Sequence, residues 1–280
     1  MLKKLYRKFV PVDIKKRITV LRKGKVIYRL SWLLPKTEEN RVYAFIGKHG
    51  LTPFPYEFIM EYKNMTVDIK KDPALGMPFV IHNNKKLYFP ASYAYNKIIT
   101  DYRNLIIEQD MRSPHRYVKS YAELKGKILF DIGSAEASFT LDVIDLIDHA
   151  YLFECDDLWT AALEATFAPW REKVTIVKKY VSNKIDESHI TIDDFLKDKS
   201  KDNLFFKVDI EGGEEDAILG AANSLKIGKN ISMSVCVYHR KKDAKIISNL
   251  MSSLGYSFEF TPGLMYWGYK ISKGIIRGHN

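Results

Sequence analysis

Cysteine is scarce in this chain: 280 residues hold two, Cys155 and Cys236. That is too few for a disulfide framework or a four-cysteine zinc site. Both fall in apolar runs that read as strands, which predicts buried structural thiols and fits a reducing, cytoplasmic setting. No run of 18 apolar residues occurs, so no membrane-spanning helix is expected. The opening stretch lacks a clean hydrophobic core with a small-residue cleavage site, so it does not read as a signal peptide. Internal repeats and low-complexity segments are missing too. Acids are nearly absent from residues 1–36, where twelve lysines and arginines face Asp13 alone. The net charge of +10 therefore belongs to that stretch, and the remainder is close to neutral. Without a basic stripe on the folded body, a nucleic acid is not the expected partner.

What is present divides into three segments. A basic arm over residues 1–35 repeats Leu2, Leu5, Tyr6, Phe9 and Val10 at helical spacing between its cations. A second apolar cluster follows, made of Ile27, Tyr28, Leu30, Trp32, Leu33 and Leu34. A basic amphipathic element with aromatic anchors is suited to lie peripherally on the inner face of a membrane. A solvated arm, or a helix docked on its own domain, accounts for the same residues. Residues 36–120 read as a cap, with two or three short antiparallel strands around a hairpin tip at Asn83-Asn84. A helix from about Ala94 to Gln109 follows, with Ile98, Ile99, Tyr102, Leu105 and Ile106 on one face.

From residue 121 buried apolar strands alternate with amphipathic helices. Strands are expected at 127–133, 150–155, 174–182, 203–210 and 231–239, with two more closing the chain. The first helix is expected to run through about Ile147, and one helix carries Ala217, Ile218, Ala221 and Leu225. The fold class is α/β: a mostly parallel seven-stranded sheet with helices on both faces, behind an N-terminal α+β cap. Ligands bind such sheets at the C-terminal edge of the strands.

Chemistry-bearing residues collect at that edge. Asp131 and Gly133 end the first strand, where glycine permits close backbone approach and the next helix offers free N–H groups. The G-x-G-x-x-G fingerprint is absent. An acid here repels a pyrophosphate but suits a cation, and the methionine part of S-adenosylmethionine carries an amino group and a sulfonium. Glu154 ends the second strand, placed to accept hydrogen bonds from a ribose diol. The fourth strand ends in Lys207, Asp209 and Glu211 on one side. These can act as a base, bind a cation or bind acceptor hydroxyls, or form an ion pair before a helix start made acidic by Glu214, Glu215 and Asp216. His239 ends the fifth strand, a natural base for an alcohol proton.

The segments FDIGSAEASF (130–139), YLFEC (151–155), TIDDF (191–195), FKVDIEGGEEDAILGA (206–221), the VYH of strand five and SLGY (253–256) resemble the FkbM-type methyltransferases. The resemblance covers about residues 125–270. It implies a Rossmann-like class I methyltransferase domain that uses S-adenosylmethionine to methylate a hydroxyl. Bacterial members often act on sugars of surface glycans or on natural products, so the implied partner is a carbohydrate acceptor: a glycan, nucleotide sugar or glycolipid. Asp131, Gly133 and Glu154 match cofactor-binding places, with Ser134 and Cys155 beside them and Asp193 as a loop acid near the cofactor. Asp209, Glu211 and His239 match the acceptor side, as the catalytic group, with no metal required. Two departures stand out: the family usually has glycine at Ala137 and often asparagine at Ala135, which lowers the expected cofactor affinity.

His115, Arg116 and Tyr238 are expected to contact the acceptor, the first two from a charged segment (108–117) before the sheet. Three other readings fit less well. A nicotinamide oxidoreductase is disfavoured by the missing glycines and by Asp131. An RNA methyltransferase lacks its Asn/Asp-Pro-Pro-aromatic strand end. A non-catalytic glycan- or membrane-binding protein on a degenerate methyltransferase fold is left open by Ala137.

Overall fold

The computed structural model describes residues 11–280. The periodic run Leu2 to Val10 lies outside the described residues. Pro11 precedes helix α1 (Val12–Arg29), which turns Val20, Gly24 and Ile27 inward at i, i+4 and i+7. They face helix α2 (Glu38–His49), whose start is capped by Thr37 accepting from the Asn40 N–H. The two helices meet at Gly24 and Gly47, where a Cβ on Gly47 would lie 2.2 Å from the Gly24 carbonyl oxygen. Val20, Val42, Ile46 and Tyr266 complete this small core. The described part of the arm is thus a helix docked on its own protein.

The cap follows its expected order. Strands β1 (Ile69–Lys71), β2 (Pro78–His82) and β3 (Lys85–Tyr88) form an antiparallel sheet. Asn83 and Asn84 make its two-residue tip with φ of 48° and 64°, the left-handed conformation that asparagine tolerates. Helix α3 (Tyr95–Glu108) comes next. Phe54, Leu87, Phe89, Ile98 and Ile107 run into the same apolar cluster as Leu129, Leu141, Ile144 and Leu152. One face of the main sheet and the cap therefore share a core.

The main domain runs β4 (Ile128–Ile132), α4 (Ser138–Val143), β5 (His149–Phe153), α5 (Asp157–Phe167) and β6 (Val174–Val177). A small parallel pair, β7 (Tyr180–Val181) and β8 (His189–Ile190), precedes α6 (Ile192–Phe195). Then come β9 (Leu204–Val208), α7 (Glu214–Leu219), α8 (Ala222–Ile227), β10 (Ser232–Cys236), α9 (Asp243–Ser253) and β11 (Ser257–Phe260). A hairpin of β12 (Met265–Trp267) and β13 (Lys270–Ser272) leads to β14 (Ile275–His279). The seven-stranded sheet has the order β11-β14-β10-β9-β4-β5-β6. Only β14 runs against its neighbours β10 and β11. The chain winds outward from β4 to β6, then returns beside β4 at β9 and winds the other way. The switch point between β4 and β9 is where such sheets open a ligand crevice.

Five details depart from the sequence reading. The strand expected over 174–182 breaks after Val177. The helix after β9 splits into α7 and α8 at Gly220, where a Cβ would lie 2.0 Å from the Ser182 carbonyl oxygen. The closing segment makes four strands, two of them outside the main sheet, and α4 stops at Val143. Cys236 is buried as expected, but Cys155 lies past the end of β5 and is exposed.

Candidate active site

The loop after β4 is shaped by close packing against β9. Gly133 has φ 77°, and a Cβ there would stand 2.0 Å from the Asp209 carbonyl oxygen. Its N–H and that of Ser134 donate to the Phe153 carbonyl. Ala135 and Ala137 have φ of 45° and 54°. The left-handed region costs a residue bearing a Cβ about 1–2 kcal/mol. The places where the family favours asparagine and glycine are thus the two where the backbone needs them.

Asp131 is engaged by the fold beneath this loop. It is buried, 2.8 Å from Lys207 Nζ, and accepts from the Thr140 hydroxyl at 2.6 Å. Lys207 also donates to the Gly133 carbonyl. Burial works against the Lys207 charge, yet the carboxylates of Asp131 and Asp209 hold its pKa above the ordinary lysine value. The pair braces the loop from beneath. Glu154 stands just beyond β5, half-buried, and accepts from the backbone N–H groups of Ala135 and Asp156, each at 2.8 Å. It is the carboxylate that the fold brings up against the loop. Ser134 lies in that loop with a buried hydroxyl that has no partner among the described residues. Asp193 is committed elsewhere: its oxygens accept from Asn223 N–H at 3.1 Å and Ser224 N–H at 2.7 Å, capping α8.

The acceptor side centres on His239. Its imidazole is 3% exposed, and Nδ1 lies 2.7 Å from Glu214 Oε1. That oxygen also accepts from the N–H groups of Ile210 and Gly212, at 3.1 and 3.2 Å. A carboxylate fixed in this way requires the Nδ1–H tautomer in neutral His239, leaving Nε2 as an acceptor. Nε2 is buried, has no hydrogen-bond partner among the described residues, and lies 3.6 Å from both Asp209 Oδ1 and Glu211 Oε2. Burial pushes the His239 pKa down, but Glu214 and Asp209, with Glu211, raise it above the usual histidine value. Asp209 accepts from the Tyr117 hydroxyl at 3.0 Å. Burial opposes its charge, while His115, Lys207 and His239 hold its pKa below the usual value.

His115 and Tyr238 join this group. They share a hydrogen bond of 3.0 Å, and His115 Nε2 is 3.6 Å from Asp209 Oδ2. Burial lowers the His115 pKa to about 4, so it stays neutral at physiological pH. Arg116 does not join them: its guanidinium donates to the Gln109 carbonyl and covers the Tyr121 ring at 5.0 Å. Trp267 of the β12–β13 hairpin roofs the site, 5.5 Å from the Tyr238 ring and 6.2 Å from that of His239.

Sequence reasoning missed several of these groups. Glu214 read as one more acid at a helix start, and nothing local marks it as the partner of a histidine 25 residues on. Glu108 lies within electrostatic reach of Asp209, Glu136 and Lys207, and Glu136 within reach of Lys207 and Asp131. Burial drives the Glu108 pKa well up and that of Glu136 to about 7. Asp209, Glu214 and His239 come close enough to hold a metal ion, as do His115, Asp209 and Cys236. The short His239–Glu214 hydrogen bond joins two members of the first group, and Asp209 Oδ1 lies 3.6 Å from His239 Nε2. In the second, burial raises the thiol pKa well above normal.

A seven-stranded sheet with one reversed strand next to its edge, and a topological switch between β4 and β9, defines the class I methyltransferase architecture. The family model for the methyltransferase FkbM domain matches residues 91–258, more than half of the chain. The chain belongs to the FkbM methyltransferase family. Similar solved structures include methyltransferase FkbM from Methylobacillus flagellatus KT, with 17% identity and a TM-score of 0.44 over 64% of this chain. The chain spans about half, 54%, of that protein's length. Magnesium protoporphyrin IX methyltransferase from Synechocystis PCC 6803, solved with bound SAH, is 12% identical with a TM-score of 0.44, covering 68% of this chain and 89% of that one. The Methanococcus jannaschii fibrillarin pre-rRNA processing protein is 12% identical with a TM-score of 0.42, covering 77% and 98%. Among curated proteins none is similar enough to count as a match.

Proposed function

We propose that the protein methylates a hydroxyl of a neutral sugar, with His239 as the base. The methyl donor is S-adenosylmethionine, which supplies an electrophilic methyl group on a sulfonium. The residues present suit it: Glu154 offers a carboxylate to a ribose diol, and Ser134 an unpartnered hydroxyl in the adjoining loop. Transfer is a direct displacement, so alignment and proton removal are the protein's share. An acceptor O–H donates to His239 Nε2. Glu214 holds Nδ1–H and stabilises the imidazolium that forms. Asp209 and Glu211, flanking Nε2, accept from neighbouring hydroxyls, as suits a vicinal diol, and Tyr238 and His115 line the same wall. So many carboxylates disfavour a phosphate-bearing acceptor. A bacterial surface glycan or glycolipid is the setting this reading supports.

The observation that carries the proposal is the buried, unpartnered Nε2 between two carboxylates. Calorimetry with S-adenosylhomocysteine should give micromolar binding to the wild type and none to Glu154→Ala. Transfer to a neutral glycan should then fall about 10²–10⁴-fold in His239→Ala with cofactor binding retained. Full activity in His239→Ala would remove the base assignment. The left-handed alanines of the cofactor loop favour one competing reading, a non-catalytic protein on this fold. Absence of cofactor binding to the wild type would establish it.

A further inference from the structure

Helix α1 buries Val20, Gly24 and Ile27, so at about 100° per residue its opposite face carries Arg22, Lys25, Val26 and Arg29. All four are exposed. In the turn after the helix, the chain leaves its apolar residues in solvent: Trp32 is 78% and Leu33 62% exposed, with Tyr28 and Leu30 exposed beside them. Asp13 is the only acid between residues 11 and 37. Lys23 is engaged by Glu39 at 3.1 Å and Lys16 lies over the Tyr269 ring, while Arg22, Lys25 and Arg29 point outward. The sequence ahead of the helix adds Lys3, Lys4, Arg7 and Lys8.

Contiguous exposed apolar side chains mark interaction surfaces. Here an indole and a leucine sit at one end of a helix whose outer face is cationic. Lipid phosphates take arginine and lysine, and the boundary between headgroups and acyl chains takes tryptophan and leucine. A polyanion such as RNA matches the charge but offers nothing to Leu33. No helix among the described residues is long and apolar enough to cross a membrane, so contact of this kind would be from one side. We propose that the outer face of α1 and the turn at residues 30–34 dock on an anionic lipid bilayer. Trp32 and Leu33 enter the headgroup boundary, and Arg22, Lys25 and Arg29 lie on the phosphates. This surface is independent of the chemistry assigned to His239.

The full chain is sedimented with phosphatidylcholine vesicles prepared with and without phosphatidylglycerol. Binding is expected only with phosphatidylglycerol, weakening as salt rises. Trp32→Ala/Leu33→Ala and Arg22→Glu/Arg29→Glu should each weaken it by about tenfold or more. Both variants alter exposed side chains, so an unchanged melting temperature separates lost docking from lost folding. Equal binding to neutral vesicles, or no binding, overturns the proposal. So does retention by Trp32→Ala/Leu33→Ala, or tighter binding to an RNA oligonucleotide than to the anionic vesicles.

Discussion

Replacing Glu214 by glutamine keeps an acceptor for His239 Nδ1–H but removes the charge that steadies the imidazolium. The His239 pKa lies above its usual value in the folded protein, so the base is free only when pH exceeds that raised value. The acid limb of a kcat–pH profile should therefore lie above about 6.5 in the wild type. In Glu214→Gln it should move to lower pH while the plateau drops about tenfold or more. Stability follows the same linkage. A raised histidine pKa contributes below the unfolded value and is lost as pH climbs through the folded one. Glu214→Gln should thus cost more in melting temperature at pH 6 than at pH 9. A shift of the limb to higher pH would contradict the assigned contact. His239, Asp209 and Glu211 were legible as chemistry near the strand ends, but their placement was not. β9 stops at Val208 and β10 at Cys236, and Glu211 lies in the following turn with φ 55° rather than along an extended strand. Glu214 was not legible: its partner is 25 residues away, and only folding turns its side chain inward.

Elements were legible where one face is buried and a period shows. The cap hairpin is set by Asn83-Asn84 and α3 by its apolar stripe. The break between α7 and α8 was invisible, since it comes from Gly220 lying against the Ser182 carbonyl, 38 residues earlier in the chain. The α1–α2 contact is of the same kind: a glycine in each helix, neither meaningful without the other. Gly47→Ala should overpack that crossing by about 1–3 kcal/mol. Limited proteolysis should then cut first within residues 12–36, while affinity for S-adenosylhomocysteine stays at the wild-type value. Loss of cofactor binding together with early cleavage would show that α1 supports the sheet as well.

Across the whole molecule, β4 and β9 lie side by side at the middle of the sheet and carry the Asp131–Lys207 pair at its ligand edge. Breaking a buried pair by removing one partner typically costs about 3–5 kcal/mol. Lys207→Met should therefore lower the melting temperature by about 10 °C. A change near zero would mean that the Asp131 carboxylate reaches water, contrary to its burial. Lys207 at the strand end was visible in the sequence, but its burial and double duty, to Asp131 and to the loop carbonyl, required the two strands to be neighbours.

The sequence by itself determined the alternation of strands and helices, the parallel sheet, the edge at which chemistry collects and the family. All of these follow from local periodicity and from short motifs read along the chain. Tertiary structure alone decided which polar groups are spent on the fold and which remain for a ligand. Asp131, Asp193 and Arg116 look like ligand contacts in the sequence and become brace, helix cap and ring cover, because buried or structural polar groups take the nearest partner that packing supplies. His239 Nε2 is left unpaired because packing places two carboxylates near it and neither within bonding distance.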